Sequence, residues 1–160
     1  MYDTKNDLPV NTRSKVCKLL NERLADAIDL GAQAKQAHWN VKGPHFIALH
    51  ELFDTVAESL EEHIDTLAER ITALGGTAYG TIAAVARTSR LDPYPEELSD
   101  GPQHVAALAS ALALFGKRIR KGIDQADKLD DAGTADLFTA ISRETDKYLW
   151  FLEAHLQAKR

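Results

Sequence analysis

Residues 50–70 read HELFDTVAESLEEHIDTLAER, and the placement of charge in this stretch decides the fold. At about 100° per residue, His50, Asp54, Glu58, Glu61, Asp65 and Glu69 share one arc of a single helix. Leu49, Leu52, Phe53, Val56, Leu60, Ile64, Leu67, Ile71 and Leu74 form the opposite side. Solvated helix faces ordinarily mix Lys with Glu, which pairs opposite charges one turn apart. This arc contains no Lys or Arg, and it begins with a histidine. It is open to two readings, a plain solvated face or a face that binds metal.

Three further long helical patterns flank it. The first runs from about Ser14 to His38, with Val16, Leu20, Leu24, Ala27, Gly31, Ala34 and His38 on one stripe. VKGPHF turns the chain, with Pro44 suited to the first position of the second helix, and Gly75 and Gly76 stop that helix. The third helix opens at SDGP, with Ser99 or Asp100 as cap, and carries Val105, Leu108, Leu112, Phe115, Ile119 and Ile123. The fourth follows DDAGT and shows Leu137, Ile141, Tyr148, Leu152 and Leu156.

Short links join helices one and two, and three and four. The link between two and three, residues 77–98, is long enough to cross a helix length, and IAAVAR within it reads as a short helix. The economical architecture is all-α, a ferritin-like four-helix bundle with one long crossover. It spans residues 14–157, between an N-terminal tail (1–13) and a C-terminal tail (158–160).

The chain's 160 residues suit one domain, and a net charge of −5 argues against general affinity for phosphate backbones. Cys17 is the only cysteine, so no internal disulfide forms, and its leucine-rich helix marks it as a packed hydrophobe. The opening MYDTKNDLPV lacks the basic-then-apolar pattern of a secretory signal. VAALASALALF is too short to span a bilayer. A soluble, cytoplasmic protein without membrane contact is expected.

His50 and Asp54 lie one turn apart, as do Asp65 and Glu69, so each pair can converge on one ion. The pairs are fifteen residues apart, about 22 Å along the axis, whereas metal–ligand bonds are about 2 Å. One chain therefore cannot join them around one metal. An antiparallel copy of the same helix, on a two-fold axis near Ser59 and Leu60, brings each pair against the other copy's complement. His38, at the end of the first helix's inward stripe, adds a second imidazole. A mixed His/carboxylate set suits divalent iron or zinc, whereas carboxylates alone suit magnesium or calcium.

HWNVKGPHF, LHELFD, HIDTLAER followed by LGG, and DKYLWFLEAHL together resemble the Dps proteins, the mini-ferritins of bacteria. The resemblance covers about residues 14–157. It implies a twelve-subunit spherical shell that oxidises ferrous iron with hydrogen peroxide at inter-subunit ferroxidase centres and stores ferric mineral. By motif, His38, His50 and Asp54 come from one subunit, and Asp65 and Glu69 from its partner. His38 with Asp65 and Glu69 form the tighter iron position, and Glu69 bridges to a weaker one near His50 and Asp54. A true ferritin or bacterioferritin uses Glu-x-x-His pairs, and this chain has none.

Trp39, beside His38, reads either as a relay aromatic near the iron or as interface packing. Trp150 reads as structural, and His63 as a packed group. DQADKLDDAGTAD places several aspartates around the junction of helices three and four, where the resemblance implies an acidic pore for ferrous ions. Asp131 and Asp136 are the pore candidates, against ordinary capping. Many Dps proteins bind DNA through Lys-rich tails. Here Lys5 and Arg13 are balanced by Asp3 and Asp7, and the C-terminus adds only Lys159 and Arg160, so DNA binding should be weak or absent. GKRIRKG on helix three is a basic cluster that can serve salt bridges between subunits. The other functional class is a DNA-compacting or structural shell without oxidation, which loss of a ligand residue would have favoured.

Overall fold

The computed structural model describes residues 1–157, so Lys159, Arg160 and the expected C-terminal tail lie outside the described residues. Four long helices and one short one follow in order: α1 (Val10–Asn40), α2 (Phe46–Ala73), α3 (Ile82–Thr88), α4 (Gly101–Asp127) and α5 (Ala132–Gln157). α1 packs on α2 and α4 on α5, and the two hairpins meet mainly through α1 and α4. The crossover from α2 to α4 carries α3 against α1. This is the expected all-α ferritin-like bundle, short crossover helix included.

The α2 stripe behaves as its periodicity requires. Leu49, Phe53, Val56, Leu60, Leu67, Ile71 and Leu74 are buried, and Leu52 and Ile64 pack half-buried beside them. Phe53, Phe115 and Phe138 are the largest fully enclosed side chains, one each from α2, α4 and α5. Burying a residue of this kind contributes roughly 1.5–3 kcal/mol, so the bundle centre is the main source of stability. Cys17 is buried as expected, its thiol donating to the Ile71 carbonyl at 3.6 Å, and burial pushes its pKa up.

Helix starts differ from the sequence reading at α1, α2 and α5, the last beginning at Ala132 within DDAGT rather than after it. α1 begins at Val10, not Ser14, because Arg13 is held from afar: its guanidinium donates to the Leu8 carbonyl at 3.0 Å and to the Leu74 carbonyl at 2.9 Å. Pro44 is not the first residue of α2. It lies in the preceding turn, where Gly43 at φ 111° reverses the chain and α2 starts at Phe46. Asp100 occupies the N-cap of α4, but its side chain accepts no capping hydrogen bond.

Two glycine turns set the two ends of α2. The Gly43 turn is pinned to the start of α4 by Lys42 N–H donating to the Ser99 carbonyl at 2.8 Å. Gly75, at φ 80°, accepts a 2.7 Å hydrogen bond from Tyr2 N–H, so the N-terminal segment folds back on the end of α2. A Cβ at Gly75 would sit 2.6 Å from the Tyr2 carbonyl oxygen, so only glycine fits. No helix among the described residues is long and apolar enough to cross a membrane.

Two histidines, His104 buried and His63 half-buried, give the fold an acid limit. His63 packs beside Glu144, with Nε2 3.2 Å from Oε2, but the alignment does not make a hydrogen bond. His104 is enclosed, with Nδ1 2.7 Å from the hydroxyl of Tyr94, whose own pKa burial raises to about 12. Burial lowers both imidazole pKa values below the ordinary 6.5. Below pH 6.5 the unfolded chain takes up protons that the fold refuses. Their stabilisation is therefore complete above that pH and is lost as pH falls towards the folded values. The urea midpoint at pH 5.5 should lie below that at pH 7.5 at one subunit concentration, and His63→Gln should narrow the gap. Equal midpoints would refute this.

Candidate metal centre

The tight α1–α2 turn brings the last turn of α1 against the second turn of α2, and there His38 meets His50. Their rings stack with centroids 3.7 Å apart. His38 Nδ1 lies 2.8 Å from the His50 carbonyl oxygen, and His50 Nδ1 lies 2.8 Å from the His38 carbonyl oxygen. A carbonyl only accepts, so each Nδ1 carries the proton and donates. Each neutral ring then has its lone pair on Nε2, the form in which imidazole ligates metals, with the ring orientation fixed by backbone.

Asp54, one turn beyond His50, stands at the same place. Its Oδ1 is 3.8 Å from His38 Nδ1 and accepts from the Lys35 ammonium at 2.5 Å. That hydrogen bond holds the Asp54 carboxyl below the ordinary carboxylate range. Asp54 is thus ionised at neutral pH, and Lys35 is its occupant in the single chain.

Asp65 and Glu69 do not join this group. Both are exposed, and neither carboxylate has a hydrogen-bond or ion-pair partner among the described residues. Fifteen residues of continuous α2 separate the two pairs by about 22 Å. Accordingly, among the described residues no three His, Cys, Asp or Glu side chains form a group able to hold a metal. The chain carries His50 with Asp54 and Asp65 with Glu69 as two separate pairs along α2. Between them runs a groove lined mostly by apolar side chains, Ile28, Ala32, Trp39, Ala57 and Ile64, with Lys35 and Glu61 also on its walls and Trp39 68% exposed.

Several other expectations change. Asp131 does not line the surface: it is 2% exposed and is consumed in capping α5. Its Oδ1 accepts from Thr134 N–H at 3.0 Å and from Arg70 Nη2 at 2.7 Å, while Oδ2 accepts from Thr134 Oγ1 at 2.6 Å. Asp136 remains exposed. Trp150 stands outside the core at 61% exposed, and His63 is packed as expected. The basic cluster on α4 is partly spent within the chain, Arg118 on Asp26 and Arg120 on Asp146. The enclosed His104 escaped the sequence reading; its signal was a polar residue one position before Val105 and four before Leu108.

The ferritin-like domain family matches residues 17–160. A DNA protection during starvation protein of Agrobacterium fabrum is 52% identical over 158 residues, covering 99% of this chain and 98% of that one. The solved Mycobacterium smegmatis Dps in its tetragonal form superposes with a TM-score of 0.92 at 35% identity, over 98% of this chain and 95% of that one. A Dps protein from Vibrio cholerae O1, described as a member of a broad superfamily of ferritin-like diiron-carboxylate proteins, gives 0.91 at 25% identity, over 98% of both chains. The chain belongs to the Dps family of ferritin-like proteins.

Proposed function

We propose that this protein is an iron-oxidising and iron-storing mini-ferritin that assembles as a twelve-subunit shell of two-fold dimers. The observation that carries the proposal is the reciprocal His38–His50 pairing, which fixes two imidazoles with Nε2 free for metal, beside the ionised Asp54. The unpartnered Asp65 and Glu69 on the same face supply the complement from a second copy. Trp39 and the apolar groove belong to the seam between the copies, which favours packing over relay as the role of Trp39.

Ferrous iron is the substrate. His38 with Asp65 and Glu69 of the second copy hold the tighter ion, and His50 with Asp54 the weaker, once Lys35 releases Asp54. Carboxylates favour the ferric product because their charge stabilises the higher oxidation state. Two ferrous ions each give one electron to hydrogen peroxide; the O–O bond breaks, two protons are taken up, and two waters leave. Removing both electrons together avoids the hydroxyl radical that one ferrous ion would release, and so protects nearby DNA. The same donor set accepts zinc, which should compete. Anaerobic ferrous loading followed by peroxide, read optically, should give ferric species at two irons per peroxide. Absence of peroxide-dependent ferric formation in the assembled protein would refute the proposal.

DNA protection of this kind needs no DNA binding. The N-terminal segment is tied to Gly75, and Thr4 and Asn6 make local hydrogen bonds within it. Duplex DNA at about 150 mM salt should therefore not be retarded by the assembled protein. Tight retardation that falls steeply with salt and is lost in Lys5→Gln would show instead that this segment is a DNA-binding arm.

For ferrous uptake, Asp131 is already committed to its cap. Among the two pore candidates, the exposed Asp136 is the one whose charge is available to attract cations.

A further inference from the structure

A deep cleft lies towards the other end of α1 from the histidines. It is about 710 Å³ in volume and is walled by α1, the turn after α2, α3 and the last turns of α4. Arg23, at its wall, and His38 are fifteen residues apart, about 22 Å along the helix. In a chain of net charge −5, this cleft collects Lys18, Arg23, Arg87, Arg90, Arg118 and Lys121. Among the described residues the only carboxylate on its wall is Glu22, with Asp26 buried beneath.

The cations divide into two groups. Arg23 and Arg118 are structural: Arg23 Nη1 and Arg118 Nε both donate to Asp26 Oδ2 at 2.8 Å, and Arg23 Nη2 donates to Glu22 at 3.0 Å. Arg23 is 4% exposed, and its Nε has no acceptor within the described residues. Lys18, Arg87, Arg90 and Lys121 are exposed and have no carboxylate partner among the described residues. They come from α1, from α3 and the loop after it, and from α4. Gathering four unpaired cations around one concavity is unfavourable without an anion, and the low-dielectric walls focus their field into the cleft.

We propose that this cleft binds a compact anion carrying a diphosphate group, held by Lys18, Arg87, Arg90 and Lys121. Its volume lies within the range of small-molecule sites, about 300–1,000 Å³. A flexible array of point-charge lysines and forked arginines suits several phosphoryl oxygens better than one monoanion. Tyr79, also on the wall, is anchored by its N–H donating to Asn21 Oδ1 at 2.9 Å and leaves its ring exposed. It offers an aromatic face to a base, so a nucleoside diphosphate should exceed inorganic pyrophosphate. The proposal does not depend on metal oxidation.

The test is calorimetric titration of the iron-free assembled protein, without divalent cations, against phosphate, pyrophosphate, ADP and a blunt DNA duplex. Pyrophosphate and ADP should bind saturably and at least tenfold more tightly than phosphate, weakening as salt rises. Lys18→Gln, Arg87→Gln and Lys121→Gln should each weaken pyrophosphate about two- to fivefold, the usual range for an accessible ionic contact, and together by roughly tenfold or more. Tyr79→Ala should remove the advantage of ADP over pyrophosphate while sparing pyrophosphate itself. No saturable binding of pyrophosphate or ADP, or unchanged affinity in all three single variants, would overturn the proposal. Duplex binding that these variants weaken and pyrophosphate cannot displace would also overturn it, assigning the cleft to nucleic acid.

Discussion

Asp54→Ala and Glu69→Ala subunits should each be inactive alone and should restore one another when co-assembled. The two residues belong to the two separate pairs of α2, about 22 Å apart, so each substitution spares the other pair within its own chain. With centres shared as proposed, both centres in a homodimer of either variant lack a ligand. Loss of groups that merely orient metal ligands already costs about 10–100-fold, so loss of a ligand should reach at least the upper end.

In a mixed dimer, one centre lacks both residues and the other has both. Random pairing of equal amounts makes half the dimers mixed, so about one quarter of the wild-type centres should return. The measurement is the initial rate of peroxide-dependent ferric formation, in assemblies shown by mass spectrometry to contain both chains. A rate near one quarter of wild type identifies centres shared across a two-fold axis. A rate no higher than either variant alone would sink that geometry. Rates for unmixed variants near wild type would sink the ligand assignment itself.

How much of the fold and the site was legible in the sequence depended on whether a signal was local. The four long helices were readable because their apolar residues recur at helical period over many turns, and α3 from the short run IAAVAR. The separation of His50 and Asp54 from Asp65 and Glu69 was readable because i, i+4 spacing fixes which side chains of a helix can converge and fifteen residues fix which cannot. The tautomers of His38 and His50 were not readable, since they depend on the reciprocal carbonyl contacts that the Gly43 turn sets up.

Asp131 shows how one residue carries two meanings. DAGT fits a capping pattern, in which an Asp side chain accepts from the N–H three residues on, as well as an acidic channel. Arg70, sixty-one residues away, commits it to the cap, and no local pattern reveals that partner. The early start of α1 has the same cause, because Arg13 is held by the distant Leu74 carbonyl. Arg23 did leave a trace: it sits three residues after Leu20 and four before Ala27, a charge on an apolar stripe. That spacing announces a buried partner, though not that the partner is Asp26.

Asp26→Ala should be strongly destabilising, because Asp26 is a fully buried charge. It is 0% exposed and accepts three hydrogen bonds: from Arg23, from Arg118, and from the Arg90 backbone N–H at 3.0 Å. Removing it leaves the buried Arg23 guanidinium short of its main counter-charge, whereas the partly exposed Arg118 can turn to water. Breaking a buried pair on one side costs about 3–5 kcal/mol, and replacing the whole pair with apolar groups is often neutral. Asp26→Ala should therefore lower the free energy of unfolding by that amount in urea titration at fixed subunit concentration. Adding Arg23→Met should recover most of the loss. That recovery separates a stranded charge from a simple cavity, which a second truncation would only enlarge. A loss under about 1 kcal/mol, or no recovery in the double variant, would mean that water or Glu22 solvates Arg23 well enough to make Asp26 dispensable.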